Sequence, residues 1–227
     1  MTGTFYGIGV GPGDPELITL LALRTIEGCD IIAAPDTGAE RQTALSIARK
    51  YVADKPVMSL DMPMTSDKET LKEIRGRAAD KICVELGAGK NVGFLTLGDP
   101  MLYSTYSYLH KLVADRGFCV KAVPGITSFC AAAAALGEPL CEGAEALHII
   151  PASYGDLEGA VELPGTKVLM KSGRKLSEAI GLLKEKNLLG KALLAERVGM
   201  EGERLIYNLS EEEGAGYFSV IIIKEDN

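Results

Sequence analysis

One device recurs three times in this chain and limits what it can fold into. A short apolar run ends in a turn rich in glycine and proline, and a helical pattern starts at once. It occurs at Gly7-Ile-Gly-Val-Gly-Pro-Gly-Asp-Pro15, at Leu97-Gly-Asp-Pro100 and at Val123-Pro-Gly-Ile-Thr-Ser128. Strand, turn and helix in alternation is the rhythm of a mainly parallel sheet covered by helices. The rest of the first half keeps it. Strands are predicted over 4–9, 30–34, 92–97 and 118–123, and a helix over 15–26. Ala44, Ile47, Ala48, Tyr51 and Val52 fall on one helix face, as do Leu71, Ile74, Ala78 and Ile82, and Leu102, Tyr106, Leu109 and Val113.

The rhythm changes after Pro124-Gly125. An Ala-rich helix over 128–136 leads to strands at 146–150, 167–170 and 192–196, with a helix from Leu176. Two further apolar runs, 204–209 and 217–224, are separated only by a short Glu/Gly-rich link, which predicts an antiparallel pair and a mixed sheet. Residues 220–223 read as an apolar sheet edge able to pair with a second copy. The expected fold class is therefore α/β, with two domains. Residues 1–122 form an N-terminal domain with a mainly parallel sheet, residues 123–227 a C-terminal domain with a mixed sheet, and a cleft lies between them.

Charge and cysteine narrow the function classes. Lys and Arg number 24 against 31 Asp and Glu, a net charge of −7, and no basic cluster offers a face to nucleic acid. The longest strictly apolar run, 129–136, has eight residues, whereas a membrane helix needs about 20. The first residues lack a basic start and an apolar signal core, so a cytoplasmic protein is expected. The five cysteines are scattered without a C-x-x-C and read as reduced, mostly packed thiols. With only His110 and His148 present, no His-rich metal centre is expected.

The turns carry the chemistry. Ligands of parallel sheets bind outside the carboxyl ends of the strands, so all three turns are candidates for one rim. The first lacks the G-x-G-x-x-G spacing of dinucleotide sites, and Gly89-Lys90 lacks the flanking residues of a phosphate-binding loop. Helix starts attract phosphate, yet Asp14 and Asp99 already stand at two of them. A carboxylate there repels a pyrophosphate and suits a ligand that is neutral or cationic, with hydroxyls and amines. S-adenosylmethionine answers that description.

The motifs at 9–15, 96–100 and 123–128 resemble, in order and spacing, those of the tetrapyrrole (corrin/porphyrin) methyltransferase family. The stretches 98–105, 128–133, 150–151 and 170–174 are similar to the branch that methylates C-20 of precorrin-2 or cobalt-factor II in cobalamin biosynthesis. The resemblance implies S-adenosylmethionine as cofactor, S-adenosylhomocysteine as product, an interdomain cofactor cleft and a homodimer. Position by position, it implies that Leu97, Gly98, Asp99 and Leu102 touch the methionine part and that Thr127 and Ser128 lie beside the sulfonium. The backbone of Lys171 would hold the adenine, with Asn208 near the adenosine. Pro12 would line the cleft beside the tetrapyrrole as much as the cofactor, and Tyr103, Ser104 and Thr105 would face the ring. Arg174, with Lys171, Lys175 and Arg197, is a candidate for binding the ring's carboxylates, since an acidic protein must gather local positive charge to hold them. No base is singled out; solvent or a substrate carboxylate would accept the meso proton.

Plainer roles stand beside these. Asp99 also suits a helix cap, Tyr103 to Thr105 a helix start, Lys171, Arg174 and Lys175 a solvated surface, and Glu196-Arg197 an ion pair at a strand end. Cys130 and its alanines read as packing. Rival functions are methylation of another ring carbon or of a non-tetrapyrrole target, as in diphthine synthase; a nucleotide-dependent oxidoreductase; and a corrinoid carrier without catalysis.

Overall fold

The computed structural model describes residues 1–35, 38–52, 54–62, 65, 67–153, 156–171, 175–211, 216 and 218–224. The chain divides into two compact units, Met1–Thr127 and Ser128–Asn227. The division falls later than the expected 122/123, because the turn after the fifth strand stays with the first unit.

The first unit is built on five parallel strands: β1 (Thr4–Gly9), β2 (Ile31–Pro35), β3 (Val57–Leu60), β4 (Val92–Thr96) and β5 (Cys119–Val123), in the order β3-β2-β4-β1-β5. Alternation along the strands sorts their side chains onto two faces. Phe5, Ile31, Ala33, Val92 and Phe94 face α4 (Lys68–Gly87) and α5 (Tyr106–Ala114). Ile8, Val10, Ile32 and Leu95 pack with α1 (Leu20–Gly28), α2 (Gly38–Ile47) and α3 (Arg49–Val52). The long helix α4 is explained by its sequence. Asp67 caps it by accepting the Thr70 N–H at 2.7 Å, and Ile74, Ala78, Ile82 and Leu86 repeat every fourth residue as its buried stripe. The helix expected over 15–26 is two pieces, a 3-10 turn at Pro15–Leu17 capped by Asp14 and then α1 capped by Thr19.

The second unit holds α6 (Ser128–Leu136), β6 (Leu147–Pro151), α7 (Leu157–Val161), β7 (Thr166–Met170), α8 (Leu176–Glu185), β8 (Ala192–Glu196), β9 (Arg204–Ile206) and β10 (Ser219–Ile223). Its sheet is mixed, as expected, in the order β6-β7-β10-β8-β9. The pairing expected between the last two strands is overturned. β9 pairs antiparallel with β8, while β10 inserts between β7 and β8, antiparallel to both. The sequence explains why. All five residues of β10, Ser-Val-Ile-Ile-Ile, are buried, and a run apolar on both faces belongs at the centre of a covered sheet. The 220–223 segment is therefore no free edge for a dimer. Ile221 and Ile223 join Leu169, Leu194, Leu176 and Leu183 in the core of this unit.

Two smaller expectations also change. Cys29 is buried and Cys83 partly so, but Cys119, Cys130 and Cys141 are exposed, so packing does not explain Cys130. Glu196 pairs with Arg204, its register partner on β9, at 3.0 Å, and not with Arg197.

Candidate active site

The three repeated turns meet at one edge of the first unit's sheet. β1 lies between β4 and β5, all parallel, so Gly9, Thr96 and Val123 end side by side. The first two turns are stitched together. The Val10 N–H donates to the Thr96 carbonyl at 2.9 Å, and the Gly98 N–H donates to the Gly11 carbonyl at 2.8 Å. Gly11 and Gly98 have φ of +79° and +72°, the left-handed region that side chains resist. The third turn comes in at backbone contact. A Cβ on Gly9 would stand 2.5 Å from the Gly98 oxygen and 2.6 Å from the Gly125 nitrogen, so nothing larger than glycine fits there.

Asp99 joins the second turn to the third. One carboxylate oxygen accepts the Met101 N–H at 2.8 Å, and the other accepts the Gly125 N–H at 3.1 Å. The side chain is thus turned onto backbone amides of the protein. Thr19 adds a link from α1, its hydroxyl donating to the Pro124 carbonyl at 3.5 Å while it caps the helix.

Leu97, Gly98, Asp99 and Leu102 share the second turn, and Thr127 ends the third. Oγ1 of Thr127 is buried and has no hydrogen-bond partner among the described residues. A buried unsatisfied hydroxyl costs about 1–3 kcal/mol, so a polar ligand atom there would be welcome. Ser128 opens α6 in the second unit.

The residues expected on the tetrapyrrole side differ among themselves. Pro12 is buried. Ser104 is buried, and its Oγ accepts the Tyr106 N–H at 3.0 Å, so it serves the start of α5. Thr105 is the residue before that helix. Tyr103 is exposed and has φ of +48°. Arg174 lies outside the described residues.

Beneath the rim, the Tyr106 ring lies against Gly7, where a Cβ would meet it at 2.3 Å, and against Phe5 and Phe94. Burial raises the phenol above its usual range. Its hydroxyl donates to the Lys121 carbonyl at 2.8 Å and stands 2.9 Å from Nδ1 of His110. The single phenolic proton is thereby used, so His110 donates from Nδ1.

In the second unit, Lys171 follows β7 with φ of +55°, and its carbonyl accepts the Ser153 hydroxyl. Asn208 is exposed, and its Oδ1 accepts the Ser210 N–H at 3.2 Å at the start of a 3-10 turn. Gly9 and Gly125 are the site residues that sequence reasoning quoted without assigning a role. Their signal is glycine at the tight point of two repeated turns.

Comparison with known proteins identifies the family and the fold. A Methanocaldococcus jannaschii protein named "Probable cobalt-precorrin-2 C(20)-methyltransferase" is 38% identical, over 96% of this chain and 95% of its own. The cobalt-precorrin-2 C(20)-methyltransferase of Salmonella typhimurium is 33% identical, over 99% and 98%. The precorrin-2 C(20)-methyltransferase of a Sinorhizobium species is 29% identical, over 97% and 95%. The structure of uroporphyrin-III C-methyl transferase from Thermus thermophilus complexed with S-adenyl homocysteine has a TM-score of 0.70 at 22% identity, covering 98% of each chain, a likeness of fold. Residues 4–212 match the family model of the Tetrapyrrole (Corrin/Porphyrin) Methylases, and with the fold and the near-full-length relatives this makes the chain a methyltransferase belonging to that family.

Proposed function

We propose that this protein transfers a methyl group from S-adenosylmethionine to C-20 of a precorrin-2-type ring in cobalamin biosynthesis. The observation that carries the reading is likeness across nearly the whole chain to relatives named for that reaction. Identity is higher to the two relatives named for the cobalt-loaded ring, at 38% and 33%, than to the metal-free one at 29%, which favours the cobalt substrate.

The residues present fit the cofactor. Gly9, Gly98 and Gly125 bring three backbones together at the rim, and the buried Thr127 hydroxyl has no hydrogen-bond partner among the described residues. Bound S-adenosylmethionine supplies a methyl group already activated by the sulfonium charge. The task left to the protein is to orient it and exclude water. In this reading Leu97, Gly98 and Leu102 hold the methionine part, Thr127 and Ser128 border the sulfonium end, and the Lys171 backbone with Asn208 recognises the adenosine. Tyr103, with Pro12, Thr105 and Arg174, serves the ring. Ser104 acts from beneath, by fixing the start of α5. A homodimer in the cytoplasm belongs to the same reading, and light scattering of the purified protein tests the dimer.

The deciding experiment offers labelled S-adenosylmethionine with the cobalt-loaded ring and, separately, with metal-free precorrin-2, both without oxygen. Label at C-20 of the cobalt product is expected in excess. Label at another carbon, or in neither ring, overturns the assignment.

A further inference from the structure

We propose that Ser153 is a positioning residue for the cofactor's base: its hydroxyl fixes the direction of the Lys171 carbonyl, and that carbonyl selects a purine with an amino group at C6 over one with an oxygen there. The inference rests on the S-adenosylmethionine reading above, in which the Lys171 backbone meets the adenosine.

Three observations lead to it. β6 and β7 run parallel with Pro151 level with Met170, so both end at the kind of sheet edge where parallel strands bind ligands. Just past that level the Ala152 N–H donates to the Met170 carbonyl at 2.9 Å, which carries the strand pairing one step further. Lys171 then leaves the extended backbone for a φ of +55°, a conformation that side chains resist and that gathers at functional sites. Its carbonyl accepts the Ser153 hydroxyl. The bond on this carbonyl thus comes from a side chain, and it can be removed without touching the strand pairing. A carbonyl oxygen has two lone pairs, so the Ser153 bond and a bond from a ligand are compatible. The amino group of adenine is a donor and suits such an oxygen. The oxygen at C6 of hypoxanthine is an acceptor and meets it with like partial charge.

The test compares S-adenosylhomocysteine with S-inosylhomocysteine, which differ only in the base. The unmutated protein should prefer the adenine ligand; equal binding overturns the inference. In Ser153→Ala the adenine ligand should bind about fivefold more weakly while affinity for the inosine ligand changes by no more than about twofold, so the preference shrinks. A serine that merely supports the fold would weaken both ligands alike, and that result overturns the inference, as does a preference left intact. In the ligand-free protein, the carbonyl carbon resonance of Lys171 should move upfield in the variant as the hydrogen bond is lost. A resonance that stays in place means that the hydroxyl does not hold this carbonyl, and it overturns the inference without any ligand. Failure of the unmutated protein to bind either ligand sinks the cofactor reading instead, and the resonance still reports whether Ser153 holds the carbonyl.

Discussion

A Cβ placed on Gly125 would stand 2.1 Å from the carbonyl oxygen of Gly98 and 2.8 Å from the backbone of Gly9. Both obstacles are backbone, which cannot rotate aside as a side chain would. Gly125→Ala must therefore push the third turn away from the other two. Since β1, β4 and β5 end before these turns, the sheet itself should survive. The expected result is a near-native circular dichroism spectrum with S-adenosylhomocysteine affinity lowered tenfold or more, about 1.4 kcal/mol or above. Native affinity in this variant would show that the rim is not the cofactor site.

The alternation of strand, turn and helix makes the first unit legible wherever an element carries its own local signal, and β3 is the exception. β3 escaped notice: Val-Met-Ser-Leu is short and its first three residues are not buried, so it has no apolar run. β10 was found but misplaced, since proximity in sequence favours a hairpin with β9 and only burial on both faces reveals a central strand. The site was legible as three turns, not as their joinery. That the Asp99 carboxylate grips Gly125 depends on tertiary approach that no spacing encodes. The Ser104 hydroxyl accepting the Tyr106 N–H, two residues on, is instead the local helix-start role that the sequence offered for Tyr103 to Thr105.

The Tyr106 hydroxyl offers a sharper test of packing beneath the site. It donates to the Lys121 carbonyl and stands 2.9 Å from Nδ1 of His110, tying α5 to β5. Tyr106→Phe keeps the ring against Gly7 and removes both bonds. A loss of about 1–2 kcal/mol in denaturant unfolding is expected, the usual cost of stranding partly buried partners. In the unmutated protein, nitrogen NMR of neutral His110 should show the proton on Nδ1. A proton on Nε2 alone would contradict the bonding scheme.

Gly76 predicts an effect of opposite sign. It sits inside α4, and a Cβ there would meet nothing within 4 Å. Glycine in a helix interior costs about 0.5–1 kcal/mol relative to alanine, chiefly through the freedom it retains when unfolded. Gly76→Ala should stabilise by that amount, with methyl transfer unchanged, and thermal unfolding would register a rise of about 2–4 °C per kcal/mol for a chain of this size. A lower Tm would mean that the space beside α4 is needed by something else.

Alkaline pH should expose the buried thiol. Burial pushes Cys29 from 9.0 to about 12, against the lowering influence of the Lys55 ammonium. Its folded state thus holds a proton that the unfolded chain has released, and linkage makes stability fall as pH rises wherever that holds. The stabilisation is complete below pH 9 and is lost progressively toward pH 12, at about 1.4 kcal/mol per pH unit for one group. Cys83 is raised in the same direction by burial, and Tyr106 follows above pH 10. Cys29→Ala removes the first of these groups. Between pH 9.5 and 11 the unfolding free energy of the variant should decline less steeply than that of the unmutated protein, by about 1 kcal/mol per pH unit. The slope is the informative quantity, because the small cavity left by alanine lowers stability equally at every pH. Identical slopes would mean that the thiol ionises as readily in the folded chain as in the unfolded one, and that Cys29 is reached by solvent.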